Sequence, residues 1–173
     1  MGAMMIENTL AMLLNMPGMM LIIGALAVPL LPSSIRHGYM LAVIAVSVWS
    51  VWQMSPDQTM TATLAGIDLI LVRAEAITKP FALVFHIAAA LNVIYAMHEN
   101  AKITATAGLA YAGAAIAALF AGDFLTLFIY WELTTFASVF LVLAGNTPRA
   151  TRAAMRYLLM QVASGVILLA GAI

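Results

Sequence analysis

Residues 127–136 read LFIYWELTTF, an apolar run with the carboxylate of Glu132 at its centre. The run belongs to a longer apolar stretch from Phe124 to Ala144, which is long enough to cross a hydrocarbon core of about 30 Å as a helix. Glu132 lies roughly 12 and 18 Å from the two ends of that helix, at about 1.5 Å per residue. A short Glu side chain cannot reach water over such distances, so the stretch predicts a membrane-spanning helix with an acidic group at membrane depth.

The composition of the whole chain agrees with a membrane protein. Of its 173 residues, 65% are hydrophobic and 8% are charged, and the mean hydropathy is +1.06, whereas soluble domains have about 25% charged residues. Seven basic and seven acidic residues cancel, so no net positive charge favours nucleic acid, and no nucleic-acid partner is expected. The chain has no cysteine, which excludes disulfides, thiolate metal sites and iron–sulfur ligation. We expect no cofactor on this chain, and any electron carrier must lie on another.

The distribution of apolar segments predicts an all-α integral membrane bundle of about six transmembrane helices. We treat residues 1–173 as one transmembrane domain, with the leading helices and an external loop in 1–100 and helices four to six in 101–173. The segment 55–76 is too polar to span, and its alternation of polar and apolar residues predicts an extracytoplasmic hairpin or amphipathic segment. The predicted spans are about Leu13–Leu31, Tyr39–Met54, Lys79–Met97, Thr104–Ala121, Phe124–Ala144 and Ala153–Ile173.

Basic residues in the short loops predict the orientation, because such residues are retained on the cytoplasmic side. They follow the first, third and fifth spans, at Arg36, Lys102 and the group Arg149, Arg152 and Arg156. This pattern predicts an external N-terminus in a multi-pass protein. We expect its location to be a bacterial-type inner membrane. Three arginines at a helix N-terminus oppose the helix dipole, so they serve topology or contact lipid phosphate or an acidic partner.

Several polar residues have a structural interpretation. Asp123 is expected to cap the fifth span, and Thr147 with Pro148 marks the start of the sixth. His86 and Gln161 are expected to bond neighbouring helices, although an auxiliary role on a proton path remains the alternative for both. In the alanine-rich fourth span, a tight packing surface is predicted at Ala114, Ala118 and Gly122.

Glu132 has a different environment. Of the residues that share its helical face, Leu125, Phe128, Thr135, Phe136 and Val139, only Thr135 is polar. A carboxyl group in such surroundings is difficult to ionise unless a cation lies opposite. Two interpretations stay open, a proton-binding group that is switched by a moving partner and a permanent buried ion pair. Water is expected to approach past Thr134, Thr135 and Ser138.

The second half of the chain resembles a known family. FAGDFLTLFIYWELTTFASVFLVLAG followed by ATRAAMRYLLMQVASGVILLAGA resembles the fifth and sixth helices of the antiporter-like subunits of complex I, membrane-bound hydrogenases and Mrp-type Na+/H+ antiporters, and in style it is closest to the Mrp-type proteins. The resemblance extends upstream to about Leu69, with Glu75 where an aspartate is usual and Tyr95 in a tyrosine position. It implies an inverted-repeat helical fold in which Glu132 is the carboxylate required for proton translocation.

The chain also departs from the family. Members have about fourteen helices, and the lysine that pairs with the fifth-helix glutamate lies in the seventh, whereas this chain ends in the sixth. Neither Lys79 nor Lys102 is placed to replace it. We therefore expect a split subunit or the first part of a longer protein, with the lysine supplied from helix seven onward.

These observations predict the N-terminal part of a proton-translocating membrane subunit rather than an enzyme. Its expected partners are other membrane subunits, including the one that supplies the lysine, together with the lipid bilayer, protons and Na+. Two alternatives remain, a structural or assembly subunit and a proton-pumping subunit of a redox-driven complex.

Overall fold

A computed structural model describes residues 15–64, 66–98 and 101–172. In these ranges the chain forms six α-helices and one antiparallel β-hairpin, which confirms the predicted helical bundle. In chain order the elements are α1 Met19–Ala27 with a 3-10 extension Val28–Leu30, α2 Ser33–Gln53, β1 Thr59–Leu64, β2 Ile67–Arg73, α3 Thr78–Tyr95 with a 3-10 extension Ala96–His98, α4 Lys102–Leu119, α5 Phe124–Leu143 and α6 Pro148–Ala172.

Five helices of the described ranges, α2 to α6, are long and apolar enough to cross a membrane. The chain is thus a multi-pass membrane protein. The first predicted span differs from the structure, because α1 begins at Met19, after Pro17 and Gly18, and the predicted start at Leu13 lies outside the described residues. Gly18 has φ +80°, a left-handed conformation that glycine adopts without steric cost. From Met19 to Leu30, the helix covers only about 18 Å.

Helix α4 occupies the centre of the bundle and packs against α1, α3 and α5. It closely approaches the start of α1, where a Cβ on Gly113 would lie 2.7 Å from the carbonyl oxygen of Gly18. Ala114 is fully buried, so the predicted packing surface is confirmed there. Small residues of this kind let helix backbones approach closely, which is the main means of helix association in lipid.

Gly122 was assigned to the fourth span, and this assignment is wrong. Helix α4 ends at Leu119, and the N–H of Gly122 donates to the carbonyl oxygen of Ile70 at 2.9 Å. The N–H of Arg73 likewise donates to Phe120 at 2.7 Å. Strand β2 therefore pairs with the turn between α4 and α5 on one side and with β1 on the other.

The polar segment between α2 and α3 forms the predicted hairpin. Its register pairs Thr59 with Arg73 and Thr63 with Asp68, with an irregularity between Met60 and Thr61. The alternation of polar and apolar residues predicted this hairpin, because strands that pack against the protein on one face only alternate in this way.

The start of α2 differs from its predicted boundary, whereas α6 begins where Thr147 and Pro148 predicted it. Helix α2 begins at Ser33, so Arg36 lies in its first turn rather than in a loop, and its buried guanidinium donates to the carbonyl oxygen of Leu31 at 3.3 Å. Helix α6 begins at Pro148, and the hydroxyl of Thr147 accepts from the N–H of Ala150 at 3.0 Å. The predicted cap at Thr147 is thereby confirmed.

Candidate functional site

Asp123 fixes the start of α5, the helix that carries Glu132. Its carboxylate accepts from the N–H of Thr126 at 2.8 Å and from the hydroxyl of Thr126 at 2.9 Å, which confirms the predicted N-cap. It also accepts from the N–H of Ile70 in β2. Burial acts to raise the pKa of Asp123, but the hydrogen bonds outweigh it and hold that pKa below its ordinary value. One carboxylate thus ties the start of the membrane helix to the second strand of the hairpin.

The carboxyl group of Glu132 lies against α6 at Gly165. A methyl group at Gly165 would overlap Oε1 of Glu132 and would lie 3.2 Å from Cε2 of Phe128. Gly165 therefore forms a notch in α6 that the carboxyl group fills. The α5–α6 contact surface, which we call the seam, contains the notch and continues toward the loop that joins the two helices at 144–147.

Oε1 of Glu132 is buried and accepts no hydrogen bond from any described residue. A buried polar atom without a partner is costly, more so for a carboxylate at membrane depth, and native structures keep few of them. The arrangement leaves an oxygen atom that is ready to bind a proton, a water molecule or a cation.

The basic residues of the described ranges are engaged elsewhere or distant. The ammonium group of Lys79 donates to the carbonyl oxygens of Met54 and Trp52 at the end of α2. The ammonium group of Lys102 donates to Pro29 at 2.9 Å. Both lysines thus neutralise helix C-termini.

The three arginines of α6 belong to its first turns. Arg149, Arg152 and Arg156 are exposed, and even Arg156 precedes Gly165 by nine residues, or about 13 Å of helix. None of the three lies beside the notch, so they do not neutralise Glu132 in this structure.

One pair of hydroxyl groups crosses the seam on the side of the 144–147 loop. Oγ of Ser138 on α5 lies 2.9 Å from the phenol oxygen of Tyr157 on α6. The Ser138 hydroxyl is also 2.7 Å from the carbonyl oxygen of Thr135, as a donor. Thr134 and Thr135 donate to the carbonyl oxygen of Trp131 at 2.6 and 3.4 Å. Thr135 is buried, and it precedes Ser138 by one turn on the way to Glu132.

The two other polar candidates occupy different places. His86 is buried between α2 and α3, with Nε2 2.9 Å from Oγ of Ser47 and Nδ1 2.7 Å from the carbonyl oxygen of Ala82. This geometry matches the predicted bond to a neighbouring helix and uses both ring nitrogens away from α5. Gln161 lies on α6, half-way between Tyr157 and Gly165. Gln161 therefore shares the side of α6 that carries Tyr157 and Gly165, whereas His86 lies apart from the seam, between α2 and α3.

Sequence reasoning missed Tyr157 and Gly165. A signal existed, because Tyr157, Gln161 and Gly165 recur every four residues and share one side of α6. Which side faces Glu132 depends on the packing of two helices, and no periodicity within one helix reveals it. In the described part of the chain, no group of three His, Asp or Glu residues is arranged to hold a metal ion.

Comparison with known proteins shows what the region around Glu132 is similar to. Residues 121–173, which include α5 and α6, match the family model described as NADH:quinone oxidoreductase/Mrp antiporter, transmembrane. The fold, over 90% of this chain, is similar to one chain in the structure of the membrane-bound sulfane sulfur reductase, an archaeal respiratory membrane complex, with a TM-score of 0.74 and 20% sequence identity. The present chain covers 26% of that chain. No curated protein matched in the sequence comparison. The resemblance to antiporter-like membrane subunits is confirmed.

Proposed function

We propose that this antiporter-like membrane subunit translocates protons within a multisubunit complex, and that Glu132 is its proton-binding group. The single observation that carries the proposal is the buried Oε1 of Glu132, which has no partner among the described residues and lies against Gly165. A permanent structural ion pair would need a cation at this position. Lys79 and Lys102, which are the lysines of the chain, bond helix ends instead.

The charge of Glu132 is controlled, in this proposal, by a cation from helices beyond α6, on the same or another polypeptide. When the cation approaches, the ionised carboxylate is stabilised and the proton leaves; when it withdraws, the carboxyl group regains a proton. The chain covers about a quarter of the length of the structural relative, which leaves room in the whole assembly for such helices. The three exposed arginines of α6 lie on the cytoplasmic side in this arrangement, with the N-terminus outside.

A Na+/H+ antiporter is the first choice for the whole complex, and a redox-driven proton pump is the second. The family model names both NADH:quinone oxidoreductase and Mrp antiporter, and the structural relative belongs to a respiratory complex. An antiporter and a redox pump are distinguished by the process that drives proton movement in closed vesicles that contain the complex. An antiporter moves protons when Na+ is added without an electron donor, whereas a redox pump requires the donor.

The experiment that tests the proposal measures proton movement in inverted vesicles that contain the assembled complex with Glu132→Gln. We expect transport to be lost while the complex still forms, because the amide binds no proton at neutral pH. The matched control is Asp68→Asn, which neutralises an exposed carboxylate of the hairpin and should transport as wild type. Wild-type transport by Glu132→Gln would refute the proton-site proposal, and loss of assembly in place of transport would favour a structural subunit.

A further inference from the structure

One hydrogen bond crosses the seam between the 144–147 loop and Glu132. It joins the hydroxyl groups of Ser138 and Tyr157 at 2.9 Å, and either oxygen is able to donate. The Ser138 hydroxyl has a second acceptor, the carbonyl oxygen of Thr135 at 2.7 Å. Its single proton therefore has two positions. When Ser138 donates to Thr135, the phenol of Tyr157 donates to Ser138, and when Ser138 donates to Tyr157, the carbonyl oxygen is released.

The seam continues from this pair to the notch through polar groups on both helices. Gln161 stands one turn from Tyr157 and one turn from Gly165 on the same side of α6. Thr135, on α5, lies between Ser138 and Glu132. From Ser138 to Glu132 the helix rises by about 9 Å, and from Tyr157 to Gly165 by about 12 Å. The distance from the Ser138–Tyr157 pair to Glu132 exceeds one hydrogen bond. Proton transfer between them therefore needs bridging water molecules, for which Gln161 and Thr135 offer polar groups.

The neighbouring grooves offer no comparable route. A groove of about 410 Å³ between α1, α4 and α5 is lined on α5 by Leu133, Phe136, Ala137 and Phe140. A second groove, of about 500 Å³, lies mainly between α3 and α4 and includes Asn92. Neither is lined by Glu132, so neither leads to its carboxyl group.

We propose that protons reach Glu132 along the α5–α6 seam from the side of the 144–147 loop, and that the Ser138–Tyr157 pair is the gate of this route. The inference rests on the proposed role of Glu132 and adds the direction of access and the part played by Tyr157. A proton from water on the loop side joins the hydroxyl pair, and the pair passes a proton to water beside Gln161 and Thr135. That water protonates Oε1 of Glu132, so only O–H bonds form and break and the charge balances. Gly165 is a positioning residue, since its notch keeps the carboxyl group at the inner end of the seam.

The test follows the carboxyl group itself in membranes that hold the whole complex. The infrared C=O stretching band of protonated Glu132 is identified by its loss in Glu132→Gln, and its shift after transfer to D2O gives the rate at which the carboxyl proton exchanges. Tyr157→Phe and Ser138→Ala should slow that exchange and the transport rate by roughly five- to tenfold. This factor corresponds to the free energy of one hydrogen bond. The control is Tyr111→Phe on α4, whose ring lines the groove of α3 and α4 and which should exchange at the wild-type rate.

The outcomes separate the two proposals. If Glu132→Gln abolishes transport while Tyr157→Phe and Ser138→Ala exchange and transport as wild type, the seam route is overturned and the role of Glu132 stands. If Glu132→Gln transports normally, the proposed function itself fails. A purely structural role of the pair predicts reduced assembly with an unchanged exchange rate per complex, which also overturns the route. Slower exchange in complexes that assemble normally supports it.

Discussion

Substitution of Gly165 by alanine probes the contact between Glu132 and α6 directly. A methyl group at this position overlaps Oε1 of Glu132, and this oxygen atom is buried. Gly171, on the same helix, is the matched control, because a Cβ there meets no atom of the described residues within 4 Å. Each substitution adds helix propensity, by about 1 kcal/mol at most. A loss of stability in Gly165→Ala relative to Gly171→Ala therefore reports the overlap with Glu132.

The expected difference follows from the cost of adding a methyl group to a filled site. Overpacking of this kind costs about 1–3 kcal/mol, so Gly165→Ala should be less stable than Gly171→Ala by that amount. The free energy of unfolding is measured by equilibrium unfolding of each variant in mixed micelles. A second measurement combines Gly165→Ala with Glu132→Ala, because removal of the carboxyl group empties the notch and should abolish most of the cost.

Two results would show that the Glu132 carboxyl group does not fill the notch at Gly165. Equal stability of Gly165→Ala and Gly171→Ala would mean that the notch is not filled. An unchanged cost of Gly165→Ala in the Glu132→Ala background would mean that the methyl group collides with something other than the carboxyl group.

Three further predictions concern other parts of the chain. Ser47→Ala leaves Nε2 of the buried His86 without its partner, so we expect a loss of about 1–3 kcal/mol in the free energy of unfolding. The folded-state pKa of Asp123 lies below its ordinary value of 3.8. The stabilisation that ionised Asp123 gives to the folded state is therefore complete above that value and is lost as the pH falls through the lower folded-state pKa. The free energy of unfolding, measured against pH, should show this loss in the wild type and not in Asp123→Asn. The chain has no cysteine, so the single variants Ala76→Cys and Thr151→Cys report the topology of the protein in the membrane. An impermeant maleimide should label Ala76→Cys from outside and Thr151→Cys from inside. The reverse pattern would contradict the predicted external N-terminus.

Much of the fold follows from local patterns in the sequence. Apolar length predicted the helices, and the alternation of residues 61–71 predicted the hairpin. Asp123 and Thr147 were recognised as caps because a capping side chain bonds an N–H only a few residues away. Features of this kind depend on short stretches of chain, which is why a single sequence reveals them.

The remaining features depend on contacts between distant segments. Pro17 and Gly18 interrupt an apolar stretch that hydropathy alone treats as continuous, and the close approach of Gly18 to Gly113 appears only in the packed bundle. The bond from the N–H of Ile70 to Asp123 joins residues 53 positions apart. The periodicity of α6 alone does not show the role of Gly165, because that role depends on which helix face meets Glu132.

If Glu132 is the proton-binding group, it gains and loses a proton during transport. Infrared difference spectroscopy of the assembled complex, recorded before and after the driving reaction is started, detects this change. We expect a change in a carboxylic C=O band that is absent in Glu132→Gln and retained in Asp68→Asn. A Glu132 band that stays constant while the complex transports protons would show that Glu132 is not the proton carrier.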